Sequence, residues 1–362
     1  MPSIRASLLV VTIASLTLAT GLRAQANFTV VPPQHAAVDA NHQTGVPGVV
    51  DQRTQILIGA TQLTTMVGQS IEAIELRRSA ADETFAGGAV NLTVNISVAP
   101  HTPLDCSATF SQNIGANPTT VFSGLVNVPT SPAITGSAVA WTPNNVVRIP
   151  IVPPYPYTGG PLCIDIVGHP VVGQEVQWWA ADATFEQLPG TTTNLGGGCS
   201  TKPASLGNWS SIETHSLVTG GHARMIAFGS PYGLAIAAIG PQSAPIPLTT
   251  LGFNPPGACA LRVFPLVILI PTLFIPDPDP AFAVGGGQAD ILVKIPNIAA
   301  AQGFTLTTQW FDWTQQATSN AIEWTIAASV PTLDMASIEG HALDTEGHAS
   351  VHIAPVIRFE HQ

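Results

Sequence analysis

The densest gathering of side chains able to do chemistry lies near the C-terminus, where His341, His348 and His352 stand among Glu339, Asp344, Glu346 and Glu360. Neutral imidazoles combined with carboxylates are donors for Zn2+ or Cu2+. His348 and His352 are four apart, a spacing that brings both to one face of a helix or of a strand. The triplet Glu339-Gly340-His341 recurs as Glu346-Gly347-His348. The H-E-x-x-H spacing of a zinc hydrolase is absent. Solvated His and Glu on a terminal hairpin account for the same letters, so the three histidines are metal-ligand candidates and nothing more.

Other chemistry finds less support. Asp277-Pro278-Asp279 offers carboxylates at alternate positions, but the later ligands of a calcium loop do not follow, and a Pro-stiffened turn is the expectation. The string Gly229-Ser230-Pro231-Tyr232-Gly233 places its serine wrongly for a nucleophile elbow. Glu72 and Glu75 have the residue type of a glycosidase pair, yet three apart on a strand they face opposite ways. No catalytic residue and no cofactor is therefore expected, with Ca2+ or Zn2+ as the alternative. Trp178 and Trp179, with Trp209, Trp310 and Trp313, are of the type on which sugar rings stack. Adjacent residues on a strand point to opposite faces, so only one of Trp178 and Trp179 is expected to be exposed. Asn27, Asn91, Asn95 and Asn208 begin N-x-S/T strings, acceptors only where the source glycosylates.

The elements that must position these residues fold outside the cytosol on this reading. Arg5, the apolar run Leu8 to Ala19 and the small residues at Ala24-Gln25-Ala26 form an export signal over residues 1–26. Its apolar core is short of the roughly 20 residues that span a bilayer, so no membrane span is expected after its removal. Removing Arg5 and Arg23 leaves 9 basic residues against 22 acidic, a formal charge of −13. With no basic patch, nucleic acid and anionic headgroups are disfavoured partners. The second apolar run, Val263 to Ile275, is interrupted by Pro265 and Pro271 and reads as buried strand and turn.

Charged residues make up 9% of the chain, and Gly and Pro number 32 each, a balance that favours strands joined by many turns. Val90 to Val98 alternates apolar and polar residues at period two, which predicts a half-buried strand. Similar runs lie at Gln55–Ile58, Ile71–Leu76, Val146–Ile151, Leu162–Val167 and Glu175–Trp179. They resume at Ala223–Phe228, Leu234–Ile239, Ala258–Leu269, Ala289–Ile295, Phe304–Phe311 and Ala321–Ala327. A short helical turn is predicted within Ser107–Ile114. The expected fold is all-β, with two antiparallel β-sandwiches, jelly-roll-like or Ig-like, in tandem. Residues 27–187 form the first, 188–208 a Gly/Thr/Pro-rich linker, 209–334 the second, and 335–362 a C-terminal extension or added hairpin. Cys106, Cys163, Cys199 and Cys259 are an even set in an exported chain and favour disulfides. Three pairings are open, and proximity in the chain leans towards Cys163 with Cys199.

Residues 108–124 (ATFSQNIGANPTTVFSG), Pro161–Ile166 (PLCIDI), Leu251–Val263 (LGFNPPGACALRV) and Gly286–Asp312 together resemble β-rich exported proteins of uncharacterised function from planctomycete-type bacteria. The resemblance covers about 100 residues in the first module and about 110 in the second, and it transfers no catalytic motif. It implies export, sandwich modules and a place at the cell surface or outside the cell. The expected role is structural, adhesive or matrix-forming, with extracellular polysaccharide or surface proteins as partners. The alternatives are a pair of carbohydrate-binding modules using exposed Trp, and a hydrolase with an unrecognised site.

Overall fold

The computed structural model describes residues 26–188, 190–199, 210–276 and 286–362. The expected export signal up to residue 25, the Asp277-Pro278-Asp279 turn, Trp209, the Asn208 string and much of the expected linker lie outside the described residues.

The described chain is all-β, arranged as several antiparallel sheets without a barrel, and among the described residues α-helix is confined to Phe110–Asn113 (α1). The strands of the N-terminal half are β1 (Asn27–Val31), β2 (His42–Gly45), β3 (Gln52–Ile58), β4 (Gln69–Arg77) and β5 (Gly88–Val98), then β6 (Thr119–Val128), β7 (Val146–Tyr157), β8 (Leu162–Pro170) and β9 (Ala180–Phe185). Next come β10 (Thr191–Gly196), β11 (Ser210–Ile212), β12 (His222–Gly229), β13 (Leu234–Gly240), β14 (Gln242–Pro247), β15 (Ala260–Val263) and β16 (Ile268–Leu273). The remainder are β17 (Ile275–Pro276), β18 (Gly287–Lys294), β19 (Thr305–Asp312), β20 (Ala317–Thr318), β21 (Ala321–Thr325), β22 (Met335–His341), β23 (His348–Ser350), β24 (Ile353–Pro355) and β25 (Ile357–His361).

Two sheets supply most of the first core, with Ala180, Ala181 and Ala354 added from a third, β2-β9-β24. One of the two runs β1-β25-β4-β7 and the other β23-β22-β3-β8-β5-β6. Ile74, Val147, Ile149 and Phe359 from the first sheet join Ile56, Val90, Leu92, Val94, Ile96, Ile164 and Ile166 from the second in one buried cluster. The period-two pattern of β5 explains its share: Val90, Leu92, Val94 and Ile96 are buried while Asn91 is exposed. The alternation breaks at its end. Ser97 is buried, its hydroxyl accepting the Gly115 N–H, and Val98 turns outward.

The C-terminal residues are not an appendage to the second half. Residues 335–362 do contain a hairpin, β22 with β23, but β22 also pairs with β3 along its whole length, Met335 opposite Ile58 and His341 opposite Gln52. β25 lies between β1 and β4 and is central to its sheet. The first core accordingly draws on residues 31–181 and 333–359, and the second core, residues 212–326, falls between those two parts of the sequence. Apolar alternation reports which face of a strand is buried and is silent on the partner strand, which is why a tandem order reads equally well from the chain.

The second core draws its buried residues from the sheets β10-β21-β19-β13-β16 and β11-β12-β18-β17. Thr191–Gly196, inside the expected linker, is its edge strand β10, paired with β21 through three successive β-branched threonines. Glu175–Trp179, by contrast, forms no strand. The run Val263 to Ile275 is corrected as well. Val263 and Phe274 are buried and Ile270 is half-buried, but β16 ends its sheet and is covered on one side alone. Phe264, Leu266, Val267, Ile268, Leu269, Leu273 and Ile275 are exposed by 40 to 68%.

A disulfide joins Cys199 to Cys259, across 60 residues, beside Leu248, Phe253 and Phe311. The expected Cys163 to Cys199 bridge is thereby excluded. Cys106 and Cys163 are buried thiols in a third cluster, with Leu57, Phe110, Val218, Ala336 and Ile338, that joins the two cores. Burial pushes these thiols up to about 11 and about 12, so they serve as small apolar residues.

Candidate functional site

The β22–β23 hairpin carries Glu339 and His348, one residue from each recurring Glu-Gly-His triplet, into the crevice between the cores. Glu339 stands opposite His348 across the ladder. Both glycines have a packing reason. A Cβ on Gly347 would lie 2.7 Å from the Phe110 ring and 2.7 Å from the Glu339 carbonyl, and one on Gly340 would lie 3.3 Å from the same ring. The α1 segment then clamps the hairpin turn, with the Phe110 N–H donating to Thr345 O and the Gly347 N–H to Ala108 O.

The three C-terminal histidines separate. His341 sits at the exposed end of β22, its Nδ1 accepting the Leu343 N–H and its own N–H donating to Asp344. His348 faces the crevice and meets residues of the second half, Glu213 and His215, at the short 3-10 turn before β12. A carboxylate oxygen of Glu213 and one ring nitrogen each of His215 and His348 lie within 4.8 Å of one another. Glu213 Oε2 is 3.5 Å from His215 Nε2 and 3.8 Å from His348 Nε2. His352 stands behind them, its ring 5.9 Å from that of His215 and 5.4 Å from Phe185. It is 1% exposed, and neither of its ring nitrogens has a hydrogen-bond partner. The His42 ring, from β2, also lies 5.7 Å from Phe185.

Burial disfavours the charged form of three of these imidazoles, His352, His348 and His42. Burial, then the neighbouring His215, His348 and His42, push His352 down to about 4. Burial also lowers His348 and His42. The Glu213 carboxylate is oriented from its far side: Oε1 accepts Arg224 Nη1 at 2.8 Å, and Arg224 is held in turn by Asp290 at 2.9 and 2.6 Å. Glu213, His215, His348, His42 and Glu339 line one crevice of about 310 Å³. Burial raises the Glu339 carboxyl, against a hydrogen bond from the Thr44 hydroxyl at 3.3 Å. His348 and Glu339 also border a larger cleft of about 620 Å³, lined by His222, Arg224, Asp290, Lys294 and Asp344.

Glu213 and His215 escape a reading that seeks ligands close together in sequence. Their signal is the alternate spacing of an acid and an imidazole, 133 residues before His348 when counted from His215, with nothing local to mark it.

The aromatic candidates divide too. Trp179 is 1% exposed and donates Nε1–H to Pro129 O, so it is core and offers no sugar platform. Trp178 is 52% exposed, with its Nε1–H on Glu83 at 3.2 Å. Trp310 is buried, whereas Trp313 is exposed and makes edge contacts with Phe253 and Phe311. Of the glutamates, Glu75 is buried against Arg148 and Arg358, at 3.4 and 2.5 Å, which assigns it to an ion-pair network. Ser230 is engaged structurally: its N–H donates to the Asp312 carboxylate at 2.8 Å, and its hydroxyl accepts from Gln315.

No protein-family model, no curated protein sequence and no solved structure matches this chain. Among the described residues no helix is long and apolar enough to cross a membrane.

Proposed function

We propose that the chain is an exported, non-enzymatic protein of two β-sandwich units that acts structurally, associating with further copies of itself at the cell surface or in a matrix. The observation that carries this reading is the open edge of the second core. From Phe264 to Ile275 a stretch without any charged residue presents seven exposed apolar side chains along β16 and its flanks. Contiguous apolar surface of that kind marks an interaction site more often than it marks an isolated monomer. An edge strand repeated about a twofold axis meets its own sequence antiparallel, so one apolar strip covers another. Pro271 removes a ladder donor, which makes side-chain burial the main attraction. The expected export signal, the low charge and the disulfide support placement outside the cytosol.

Sedimentation velocity across a concentration series tests the reading. Self-association is expected for the native chain and its loss for a Val267→Lys, Leu269→Lys variant that keeps the native circular dichroism. A native chain that stays monomeric at every concentration would refute it.

A second reading, polysaccharide binding, is favoured by Trp178, whose exposed ring is anchored at one end by Glu83. Glycan-array binding abolished by Trp178→Ala would support it.

A further inference from the structure

The cluster of Glu213, His215 and His348 differs from a set of solvated surface residues in its spacing. At 3.5 and 3.8 Å the carboxylate oxygen Oε2 is too far from both imidazole nitrogens for good hydrogen bonds, yet all three donor atoms converge. Ligands about 2.0–2.1 Å from a tetrahedral ion stand about 3.3 Å from each other. The observed separations therefore need only a few tenths of an ångström of closure along those two edges.

The surroundings agree with that geometry. Arg224 occupies the outer oxygen of Glu213 and turns Oε2 towards the imidazoles, and Asp290 balances the Arg224 charge. Carboxylates and arginines that orient a ligand from behind are the usual support of a metal site. His352 supplies an independent sign. It is a buried imidazole beside His215 with both nitrogens unpartnered, although buried polar groups are ordinarily satisfied. Two imidazoles and a carboxylate, with a third imidazole adjacent and no thiolate, suit borderline divalent ions over Ca2+ or Mg2+.

We propose that Glu213, His215 and His348 bind one borderline divalent transition-metal ion, Zn2+ or Cu2+, with His352 as the neighbouring third imidazole. Glu213 and His215 precede β12 of the second core, whereas His348 lies on β23, in a sheet of the first. The ion thus ties the two cores together across their crevice. The site is independent of the apolar edge and of any self-association.

The test uses the full mature chain, stripped with a chelator and titrated with Zn2+ and with Cu2+ by calorimetry and with Co2+ by visible absorption. The expected result is one equivalent of Zn2+, a raised melting temperature, and the intense visible bands of four-coordinate Co2+. His215→Ala and His348→Ala should each weaken Zn2+ binding at least tenfold, and Glu213→Gln should weaken it too. His341→Ala should leave affinity within twofold, since that imidazole stands at the exposed end of the hairpin. Absence of saturable Zn2+ and Cu2+ binding by the native chain would overturn the proposal. So would His215→Ala and His348→Ala variants that bind as the native chain does. Should a variant fail to fold, the native Co2+ spectrum decides: weak octahedral bands count against the site.

Discussion

Lys294 donates its ammonium to the carbonyl oxygen of Cys106 at 2.8 Å. The same nitrogen reaches Leu104 O at 3.0 Å and Gly220 O at 2.6 Å. Cys106 and Leu104 belong to the N-terminal part of the chain, and Lys294 ends β18 of the second core, so one side chain gathers three carbonyls from both sides of the crevice. Gly220 makes this approach practicable. Its φ is +78°, and a Cβ there would meet Leu104 O at 2.6 Å.

Replacing Lys294 by Met should keep the stem and lose all three bonds. The expected cost is about 1.5–2 kcal/mol, the lower part of the range for hydrogen bonds to charged groups because the residue is exposed. Chemical denaturation monitored by Trp fluorescence measures it. A variant as stable as the native chain would show that the third apolar cluster alone holds the cores together.

Arg77 and Asp182 form an ion pair with both side chains fully buried, and Arg77 also donates to the carbonyls of His35, Val38 and Val139. Asp182→Ala should cost about 3–5 kcal/mol, because it strands a buried guanidinium without its countercharge. The double variant Arg77→Met, Asp182→Leu should be less damaging than Asp182→Ala alone. Denaturation midpoints of the native chain and the two variants would contradict this if the double variant proved no more stable than Asp182→Ala.

His222 links stability to pH. Burial first, then Lys294 and His348, hold its imidazole down to about 3, against 6.5 in the unfolded chain. Between those values the unfolded chain binds a proton that the folded chain refuses. Stability is therefore complete above about 6.5 and declines as pH falls towards 3, by up to a few kcal/mol. His352, held to about 4, acts in the same direction over a narrower window. The cleft around His222 also presents Arg224, Asp290, Glu339, Asp344 and Glu346; Glu339, whose carboxyl is raised by burial, acts in the opposite direction, because the folded chain keeps a proton there that the unfolded chain releases. Urea midpoints between pH 7 and 4 should fall less steeply for His222→Gln than for the native chain. Equal slopes would remove His222 from the account.

What the chain declares by itself is local. The alternation of Val90 to Ile96 marks one wet and one dry face, and the adjacency of Trp178 and Trp179 puts one ring out and one in even where no strand forms. Those outcomes depend on side-chain direction over a few residues, which backbone geometry supplies. The Glu-Gly-His repeat is visible as a pattern, but its cause, two glycines against the Phe110 ring, requires the partner. Tertiary structure alone decides that β25 lies between β1 and β4, that Cys199 meets Cys259, and that His348 faces Glu213 and His215 while His341 faces solvent. Each of these depends on segments brought together over 60 residues or more, and a pattern of polar and apolar letters carries no record of which surfaces will meet.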